Sequence, residues 1–430
     1  MKPLSELVVT VADHGLFTHV ARRIAKDVKR VYYYTPADIA FPSIRTGLIG
    51  SGFPDIERAD NLWDVAGETD LFVFPDIGFA DIQNELIGQG KPVWGARYAD
   101  RLETDRGEFL KTIAELGLDV PGFHVCEGWT ELRGYLRDKE DKWVKINRWR
   151  GDMETLHWRD WNHDELTLDL LAFKLGPAKE LLSFFVLDSI DTEIETGYDG
   201  YCIDGQFPAL CIHGMEAKDK AYLGTMAKYD ELPDQLLAVN KVFGPVLATE
   251  GYRSFMSTEV RIAGDNAYFI DPTLRAGSPP SQLMTELFGN FTDIIWQGAQ
   301  GHCIDPEPTA LFGVQAILCI KGDKTSWRAF EPPAEIEDAI KCGNCTMIDG
   351  KLCFPPDDSG DEMVGWLVAT GESIESAIDQ LKESSCHLPD GVECKFHALV
   401  ELLQEIELAE EVGVHFTDYP VPEPASVIED

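Results

Sequence analysis

Short apolar runs alternate with amphipathic stretches over the first hundred residues. The stretch 17–28 has the 3.6-residue spacing of a helix, and apolar runs bracket it on both sides. The apolar runs of this region are 7–12, 31–36, 70–76 and 91–96. Strand–helix–strand alternation of this kind predicts a parallel β-sheet with helices on both faces. Ligands of such sheets bind beyond the carboxyl ends of the strands.

Polar residues follow two of these predicted strands at their carboxyl ends. Asp13 and His14 follow the first strand, and Asp76 ends the run at 70–76. A helix that begins after Gly15 could receive an anion at its N-terminus. An equally simple interpretation is that Asp13 and His14 only cap that helix.

Two apolar runs on either side of a turn at 264–266 predict an antiparallel hairpin. The first run begins at Glu259, and the second leads to Asp271, Thr273 and Arg275. Carboxylate and hydroxyl oxygens are hard ligands of the kind that Mg²⁺ prefers. The planar guanidinium of Arg275 could clamp an anionic intermediate. The alternative is an ordinary hairpin with a surface ion pair.

A lysine stands inside the strand-like run WVKI. Burial of an unpaired ammonium is costly, so Lys145 needs a negative partner, and a phosphate would be one. The loop that follows, NRWRGDMET, carries Arg148, Arg150 and Gly151. Its arginines could cover phosphate groups, or they could be solvated charges on an exposed turn.

These features together resemble the ATP-grasp ligases. The pattern Asp271-x-Thr273-x-Arg275-x-Gly277 is similar to the metal-binding strand of that superfamily, usually written ExNxRxG. The longer string DPTLRAGSPPSQ resembles the ENxRFGDPETQ segment of the glycinamide ribonucleotide synthetases, the phosphoribosylamine–glycine ligases. The resemblance covers most of the chain in the same order.

The resemblance implies an ATP-grasp fold, which is α/β with α+β parts. It predicts a parallel-sheet domain, an ATP-grasp domain that contains an ATP lid at 120–195, a small mixed α/β domain and a loose acidic tail. The boundaries expected for these four parts are 1–100, 101–304, 305–420 and 421–430.

The resemblance also implies where ATP and Mg²⁺ would bind. Lys145 and Arg106, which stands where the family has a lysine, would contact phosphates together with Arg150 and Gly151. Backbone groups of the hinge would hold adenine, and an acidic residue beyond the hinge would bind the ribose. The hinge residues are Val186, Leu187 and Asp188, the ribose candidates are Glu193 and Glu195, and the metal ligands are Glu259, Asp271 and Thr273.

Catalytic and substrate residues follow from the same resemblance. Lys145 and Arg275 would be catalytic, and Arg275 would stabilise an acyl phosphate and the tetrahedral intermediate. The residues implied to meet the substrates are Asp13, His14, Asp76, Arg275 and Ser278.

Departures from the family pattern bear on the substrates. The glycine-rich GSGGREH loop is replaced by VADHGLF, and Ser278 replaces an Asp near the family's glycine substrate. We therefore expect a divergent paralogue, an ATP- and Mg²⁺-dependent ligase of a small carboxylate and a small amine that the sequence does not identify. One alternative is the phosphoribosylamine–glycine ligase of purine synthesis itself. Another is an inactive ATP-grasp-like scaffold that serves in binding or interaction.

Composition narrows the classes of partner and compartment. A formal net charge of −38 disfavours nucleic acid as a partner. The sequence shows neither a membrane-length apolar run nor a signal-peptide layout, so we expect a cytoplasmic protein without a membrane partner. The irregular spacing of the ten cysteines predicts reduced thiols and no disulfide framework. Whether Cys342, Cys345 and Cys353 bind zinc is left open by the sequence. The oligomeric state also stays open, with a homodimer as one option.

Overall fold

The computed structural model describes most of the chain, in two compact units. Unit 1 consists of Met1–Tyr98, Thr196–Thr258 and Thr273–Asp430, and unit 2 of Ala99–Glu195 and Glu259–Pro272. The described residues are 2–36, 48–148, 155–191, 194–218, 220–264, 266–322, 326–356, 363–411 and 413–416.

Unit 1 begins with a five-stranded parallel sheet in the order β3-β2-β1-β4-β5. The central strand β1 is buried along its whole length, which explains its unbroken apolar sequence. The strands are β1 Val8–Ala12, β2 Arg30–Tyr34, β3 Glu57–Arg58, β4 Leu71–Val73 and β5 Val93–Trp94. The α-helices of this region are Thr18–Ala25, Leu62–Val65 and Ala80–Gly88.

Unit 2 contains a four-stranded antiparallel sheet in the order β6-β9-β7-β8. Its strands are β6 Phe123–Glu127, β7 Lys142–Ile146, β8 Thr155–Trp158 and β9 Ser183–Asp188. Its α-helices are Arg101–Thr104, Arg106–Glu115, Trp129–Leu136 and Trp161–Leu175. Apolar side chains of this sheet and of the last two helices, among them Val144, Phe184 and Leu168, form one buried cluster.

A large sheet follows in the order β14-β13-β10-β11-β12-β15-β20-β17, with β21 paired to β15. Strand β13 enters unit 2 at Glu259, and β14 returns to unit 1 at Thr273. The strands are β10 Glu195–Ile203, β11 Leu210–Ala217, β12 Ala221–Lys228, β13 Arg253–Ala263, β14 Asn266–Thr273, β15 Phe312–Ile320, β17 Ile340–Cys342, β20 Met363–Gly371 and β21 Val392–Cys394.

The remaining elements of unit 1 are a small antiparallel sheet and the later helices. The small sheet has the order β16-β19-β18, with β16 Arg328–Phe330, β18 Thr346–Ile348 and β19 Lys351–Phe354. The α-helices are Asp234–Thr249, Ser281–Leu287, Phe291–Ala299, Ile374–Ser385 and Ala398–Glu411. The 3₁₀ turns of the two units are Leu4–Glu6, Arg97–Asp100, Gly176–Glu180, Tyr229–Glu231 and Glu337–Ala339.

Two segments fold differently from what their local sequence indicates. The spacing of Cys342 and Cys345 indicates a hairpin turn between them, but β17 pairs with β20 of the large sheet whereas β18 pairs with β19 of the small one. The apolar periodicity after residue 280 indicates one helical stretch, but two helices form, because the first ends at Leu287 and the second starts at Phe291.

All ten cysteines are free thiols. Across the described part of the chain, every helix is too short or too polar to cross a lipid bilayer.

Candidate nucleotide and metal site

In unit 2, two positively charged side chains predicted to contact phosphates, Lys145 and Arg106, both bind the carboxylate of the predicted metal ligand Asp271. Nζ of Lys145 donates a hydrogen bond to Oδ2 of Asp271 at 2.5 Å, and Nη2 of Arg106 donates to Oδ1 of the same carboxylate. Nη1 of Arg106 also donates to the carbonyl oxygen of Ile270, at 3.1 Å. A strand, a helix and the end of a hairpin therefore meet at the carboxylate of Asp271.

The electrostatics of this group follow from its burial and its charges. Burial alone would raise the pKa of Asp271, but the charges of Arg106 and Lys145 outweigh burial and hold the pKa well below its usual value. Burial lowers the pKa of Lys145 and Arg106 lowers it further, while Asp271 and Glu259 oppose that shift. The charge of Glu259 thus acts on Lys145, which makes Glu259 a member of the same charged group.

Alternation along β7 explains how the chain presents Lys145. Val144 and Ile146 are buried in the core of unit 2, at 1% and 6% exposure. Successive side chains of a strand point to opposite faces, so Lys145 lies on the other face, with 14% of its side chain exposed. The apolar neighbours of Lys145 therefore belong to the core, whereas Lys145 itself meets the carboxylate of Asp271.

The helix Arg106–Glu115 carries the second cation at its first position. Asp105 is its N-cap and accepts hydrogen bonds from the backbone nitrogens of Gly107 and Glu108, at 3.1 and 3.2 Å. The neighbouring Thr104 is also of a type that caps helices, but Asp105 takes the position, where its carboxylate satisfies free N–H groups of the first turn.

A residue that the sequence analysis missed connects this helix to β7. Oδ1 of Asn147 accepts from the backbone nitrogen of Arg106 at 2.7 Å, and Nδ2 of Asn147 donates to Asp105 at 3.3 Å. Arg148 donates to the same carboxylate at 2.6 Å. The signal was present, since a polar amide directly follows the strand that holds Lys145, but its partner lies 41 residues away.

The predicted adenine hinge lies on β9, between β6 and β7. Val186 and Leu187 are buried and pair with Val144 and Trp143 of β7, and Asp188 forms an ion pair with Lys142 at 3.0 Å. A central strand uses its main-chain groups in the ladders with both neighbours, so the described hydrogen bonds of β9 do not single out a group for adenine. The hinge assignment stays a prediction.

One ribose candidate can be located. Oε2 of Glu195 accepts a hydrogen bond from Nε of Arg261 at 2.7 Å, and 28% of its side chain is exposed. Glu193 lies outside the described residues, as do Arg150 and Gly151 of the predicted phosphate-covering loop.

In unit 1, predicted substrate residues gather at the carboxyl end of β4. The backbone nitrogen of Ala276 donates to the carbonyl of Pro75 at 2.8 Å, which fixes the segment after β14 beside that strand end. Nη1 of Arg275 lies 3.9 Å from Oδ1 of Asp76. Asp76 accepts from its neighbour Ile77 at 2.9 Å. Asp76 and Arg275, 199 positions apart by their numbers, are therefore neighbours.

The predicted substrate residue Asp13 is buried among protein hydrogen-bond donors. Its carboxylate is fully buried and accepts from the backbone nitrogens of Gly15, at 3.0 Å, and Phe17, and from the hydroxyl of Tyr33. Burial raises the pKa of Asp13 to about 6, and the charge of Asp76 adds to that shift. These contacts hold the loop between β1 and the helix Thr18–Ala25, whose N-cap is Phe17, so Asp13 orders the loop and does not cap the helix itself. His14 is half-buried and stacks on Phe79, with ring centres 4.7 Å apart.

Ser278 lines a cavity of about 210 Å³ in unit 1. Its hydroxyl accepts a hydrogen bond from Nε2 of Gln282 at 2.7 Å. Arg328, Lys341 and Trp366 also line the cavity. Ser278 therefore faces a space of small-molecule size whose ionic lining is basic.

The predicted metal ligands lie on one hairpin. Glu259 is on β13, and Asp271 and Thr273 are two positions apart on β14, hence on the same face of that strand. The cysteines left open for zinc do not form a comparable group. Within the described ranges, three donor atoms of His, Cys, Asp or Glu lie close enough to hold one ion at His124, Cys126 and Glu131.

No protein-family model matches the chain, and no curated protein sequence matches it either. Solved structures do match. The phosphoribosylamine–glycine ligase of Thermotoga maritima aligns with a TM-score of 0.65 and 16% identity, over 90% of this chain and 97% of that one. The L-amino acid ligase of Bacillus licheniformis aligns with a TM-score of 0.58 and 15% identity, over 92% and 99%.

A third match adds nucleotide ligands. The biotin carboxylase domain of the 2-oxoglutarate carboxylase of Hydrogenobacter thermophilus, a dimer in complex with MgADP, ADP and bicarbonate, aligns with a TM-score of 0.63 and 14% identity, over 97% of each chain. The fold of the present chain is that of the ATP-grasp proteins. The predicted fold class is thereby confirmed, and so is the resemblance to a phosphoribosylamine–glycine ligase at the level of the fold.

Proposed function

We propose that this protein is an ATP- and Mg²⁺-dependent ligase that joins a small carboxylate to a small amine through an acyl phosphate. The observation that supports this most directly is the pairing of Lys145 and Arg106 with Asp271 in unit 2. Little-exposed charges drawn from three segments are costly to bury, and groups perturbed in this way are candidates for a functional site.

The donors in this region fit Mg²⁺. Glu259 and Asp271 offer carboxylate oxygens, and Thr273, at the end of the same strand as Asp271, offers a hydroxyl. An all-oxygen set with few protein ligands is typical of Mg²⁺ bound with a nucleotide. When bound, the ion would neutralise charge on the phosphates.

Lys145 and Arg106 differ in what they offer a nucleotide. An ammonium has three N–H donors, and the described contacts of Lys145 use one of them. Its other donors are suited to phosphate oxygens. Arg106 is bound to Asp271 and to the backbone of Ile270, so we assign it the positioning of Asp271 as well as a share of the positive charge.

The proposed reaction has two steps. A carboxylate oxygen of the acid attacks the γ-phosphorus of ATP, the bond to the β–γ bridging oxygen breaks, and ADP leaves. The amine nitrogen then attacks the carbonyl carbon, inorganic phosphate leaves with its C–O bond electrons, and the nitrogen loses a proton. Both steps depend mainly on positioning and on charge neutralisation. We assign the stabilisation of the phosphorylated acid to Arg275.

We propose the substrates only by chemical class, as a small carboxylate and a small amine. Asp76 beside Arg275 offers a carboxylate for an ammonium, and the cavity at Ser278 offers room for a substrate body. Because Asp13 is engaged by backbone and tyrosine donors, we give it a supporting role in the shape of the loop. The T. maritima ligase has the same fold, and glycine with phosphoribosylamine is therefore the first pair to assay.

The proposal is tested by calorimetric titration of ATP with Mg²⁺ into the wild type, Lys145→Met and Lys111→Met. Lys111 is a matched control, because it pairs with Glu115 on the surface and 75% of its side chain is exposed. We expect the affinity of Lys145→Met to fall about tenfold to a hundredfold, the value of one or two charged hydrogen bonds, and that of Lys111→Met to stay unchanged.

A second assay separates an enzyme from a scaffold. The wild type is incubated with ATP, Mg²⁺ and panels of carboxylates and amines, and ADP release is followed. ADP release that needs both an acid and an amine supports the ligase. Nucleotide binding without any turnover would favour a nucleotide-binding scaffold, and absence of nucleotide binding would overturn the proposal.

A further inference from the structure

We propose that His124, Cys126 and Glu131 form a binding site for a thiophilic divalent cation, with Zn²⁺ as the best fit. The three side chains supply one nitrogen, one sulfur and one oxygen ligand, and these atoms all lie within 4.8 Å of one another. All three belong to unit 2, and none of them has a part in the proposed ligase reaction.

The fold explains why the three ligands meet. His124 and Cys126 are two positions apart on β6, so their side chains share one face of that strand. The chain turns at Gly128, whose φ is +86°, and the helix Trp129–Leu136 begins at once. Glu131 lies in the first turn of this helix. A strand, a tight turn and a helix therefore bring a short stretch of chain back onto its own strand.

Two of the ligands are held in place before any ion binds. Oε2 of Glu131 accepts a hydrogen bond from the backbone nitrogen of Glu127 at 2.9 Å. Oε1 of Glu131 lies 3.9 Å from Nε2 of His124. The His124 ring stacks on Tyr135, with centres 4.1 Å apart and planes 10° apart. These contacts limit the motion of the histidine and the carboxylate, which lowers the entropy lost on binding.

The spacing of His124 and Glu131 suits tetrahedral Zn²⁺. Bonds of about 2.0–2.3 Å to nitrogen, oxygen and sulfur place neighbouring ligands about 3.4–3.6 Å apart. The 3.9 Å between His124 and Glu131 is close to that value. The sulfur of Cys126 is buried at the floor of the group, with the residue 0% exposed. The side chains of His124 and Glu131, 44% and 50% exposed, leave the fourth position to water.

The donor types separate this site from the proposed Mg²⁺ site. A thiolate and an imidazole favour zinc and similar ions, whereas Mg²⁺ prefers oxygen ligands throughout. An ion at this position would join the edge strand β6 to the helix that packs on it. We therefore expect zinc to stabilise unit 2 without being required for ATP binding.

The first test is calorimetric titration of Zn²⁺ into the metal-free protein, with excess Mg²⁺ and no nucleotide. We expect one tight equivalent in the wild type and a loss of at least a hundredfold in affinity in His124→Ala. The matched control is His157→Ala. His157 also lies on this sheet, stacks on an aromatic ring (Trp143, 4.4 Å) and pairs with an acid (Asp141, 2.8 Å).

The second test identifies the sulfur ligand. Co²⁺ bound through a thiolate gives a charge-transfer band in the near ultraviolet and an intense tetrahedral visible spectrum. We expect both in the wild type and in Cys386→Ala, which removes an exposed cysteine, and no charge-transfer band in Cys126→Ala. Because Cys126 belongs to the core, circular dichroism must first show that this variant is folded; His124→Ala and Glu131→Gln serve otherwise.

The outcomes are distinct from those of the ligase assays. Zinc binding that is unchanged in His124→Ala and Glu131→Gln would overturn the site, as would no binding by the wild type. In both cases the contact of His124 with Glu131 would have no part in metal binding. Neither result bears on ATP binding, which is measured with Mg²⁺ alone.

Discussion

Lys145 and Asp271 lie 126 positions apart in the chain, and Nζ of Lys145 donates to Oδ2 of Asp271 at 2.5 Å. The carboxylate is the only charged partner of Lys145 at hydrogen-bond distance among the described residues. Arg106 holds the other oxygen. The side chains that we propose to bind ATP and Mg²⁺ are thus already held together by Asp271. Groups positioned in advance lose less conformational entropy when a ligand binds.

Asp271→Asn is expected to weaken both the protein and its nucleotide site. The amide cannot balance two cations whose side chains are only 14% and 10% exposed. We expect the free energy of unfolding without ligand to fall by about 2 kcal/mol, since charged hydrogen bonds are lost. Affinity for ATP with Mg²⁺ should fall by a similar free energy. Chemical denaturation and calorimetry measure the two effects separately.

The control for this substitution is Asp169→Asn, in a surface pair with Arg133 where 51% of the aspartate side chain is exposed. It should change neither quantity by more than about 0.5 kcal/mol. Equal effects of the two substitutions would show that Asp271 is an ordinary surface carboxylate.

Glu195→Gln tests the assignment to ribose. If the carboxylate of Glu195 accepts from ribose hydroxyls, the variant should bind ATP about tenfold more weakly, the worth of one hydrogen bond to a charged group. Inorganic tripolyphosphate has no ribose, and its affinity should not change. The comparison is made by calorimetry with Mg²⁺ present.

Arg261→Gln separates the ribose role from the ion pair. Arg261 donates to Glu195 at 2.7 Å, so this variant breaks the same pair but keeps the carboxylate. If Arg261→Gln loses as much ATP affinity as Glu195→Gln, then the pair supports the strand and Glu195 does not read the ribose.

Asp199 gives the protein a pH dependence. The residue is 5% exposed and accepts from the hydroxyls of Ser257 and Tyr222, the latter at 2.6 Å. Burial raises its pKa to about 6 despite these bonds, against about 3.9 in an unfolded chain. The folded state therefore keeps a proton on Asp199 between these values, and the contribution of Asp199 to the free energy of unfolding falls as pH rises from about 4 through about 6.

Asp199→Asn should remove this loss, because the amide cannot ionise. At pH 7 we expect the variant to be more stable than the wild type by about 3 kcal/mol, and at pH 4 to have almost no advantage. Urea unfolding at both pH values makes the comparison. A variant that is destabilised equally at both would mean that the amide cannot satisfy Ser257 and Tyr222, and that ionisation is not the controlling cost.

The helix Ile374–Ser385 begins with a reciprocal capping box. Ser373 Oγ accepts from the backbone nitrogen of Ser376 at 3.1 Å, and Ser376 Oγ accepts from that of Ser373 at 3.0 Å. Ser373→Ala should lower the free energy of unfolding by about 1 kcal/mol. Ser384→Ala, near the other end of the helix, should have a much smaller effect. Similar losses in both would argue against the cap as the cause.

Much of the secondary structure could be predicted because the relevant patterns are local. The apolar runs of the first hundred residues became parallel strands, and the hairpin that leads to Asp271 formed as expected. The N-cap Ser373 and its capping-box partner Ser376 are residues of capping type only three positions apart, so this signal too is local. Helix and strand periodicity is a property of neighbouring residues, so it survives in the sequence alone.

Strand pairing could not be predicted where it depends on how whole sheets assemble. The spacing of Cys342 and Cys345 is compatible with a hairpin, but the strands beside them belong to different sheets. Local periodicity marks a strand without naming its partner, because pairing is decided by which faces the whole chain can bury together.

The sequence by itself determined the residue types of the site: a lysine in an apolar strand, two carboxylates on a hairpin and an arginine beyond them. Only the tertiary structure decided that Asp271 would be the partner of Lys145, that Arg261 would hold Glu195, and that Arg275 would lie beside Asp76. Charge and hydrogen-bonding capacity belong to a residue wherever it stands. Proximity across tens to hundreds of residues arises only when sheets and helices bury their apolar faces together.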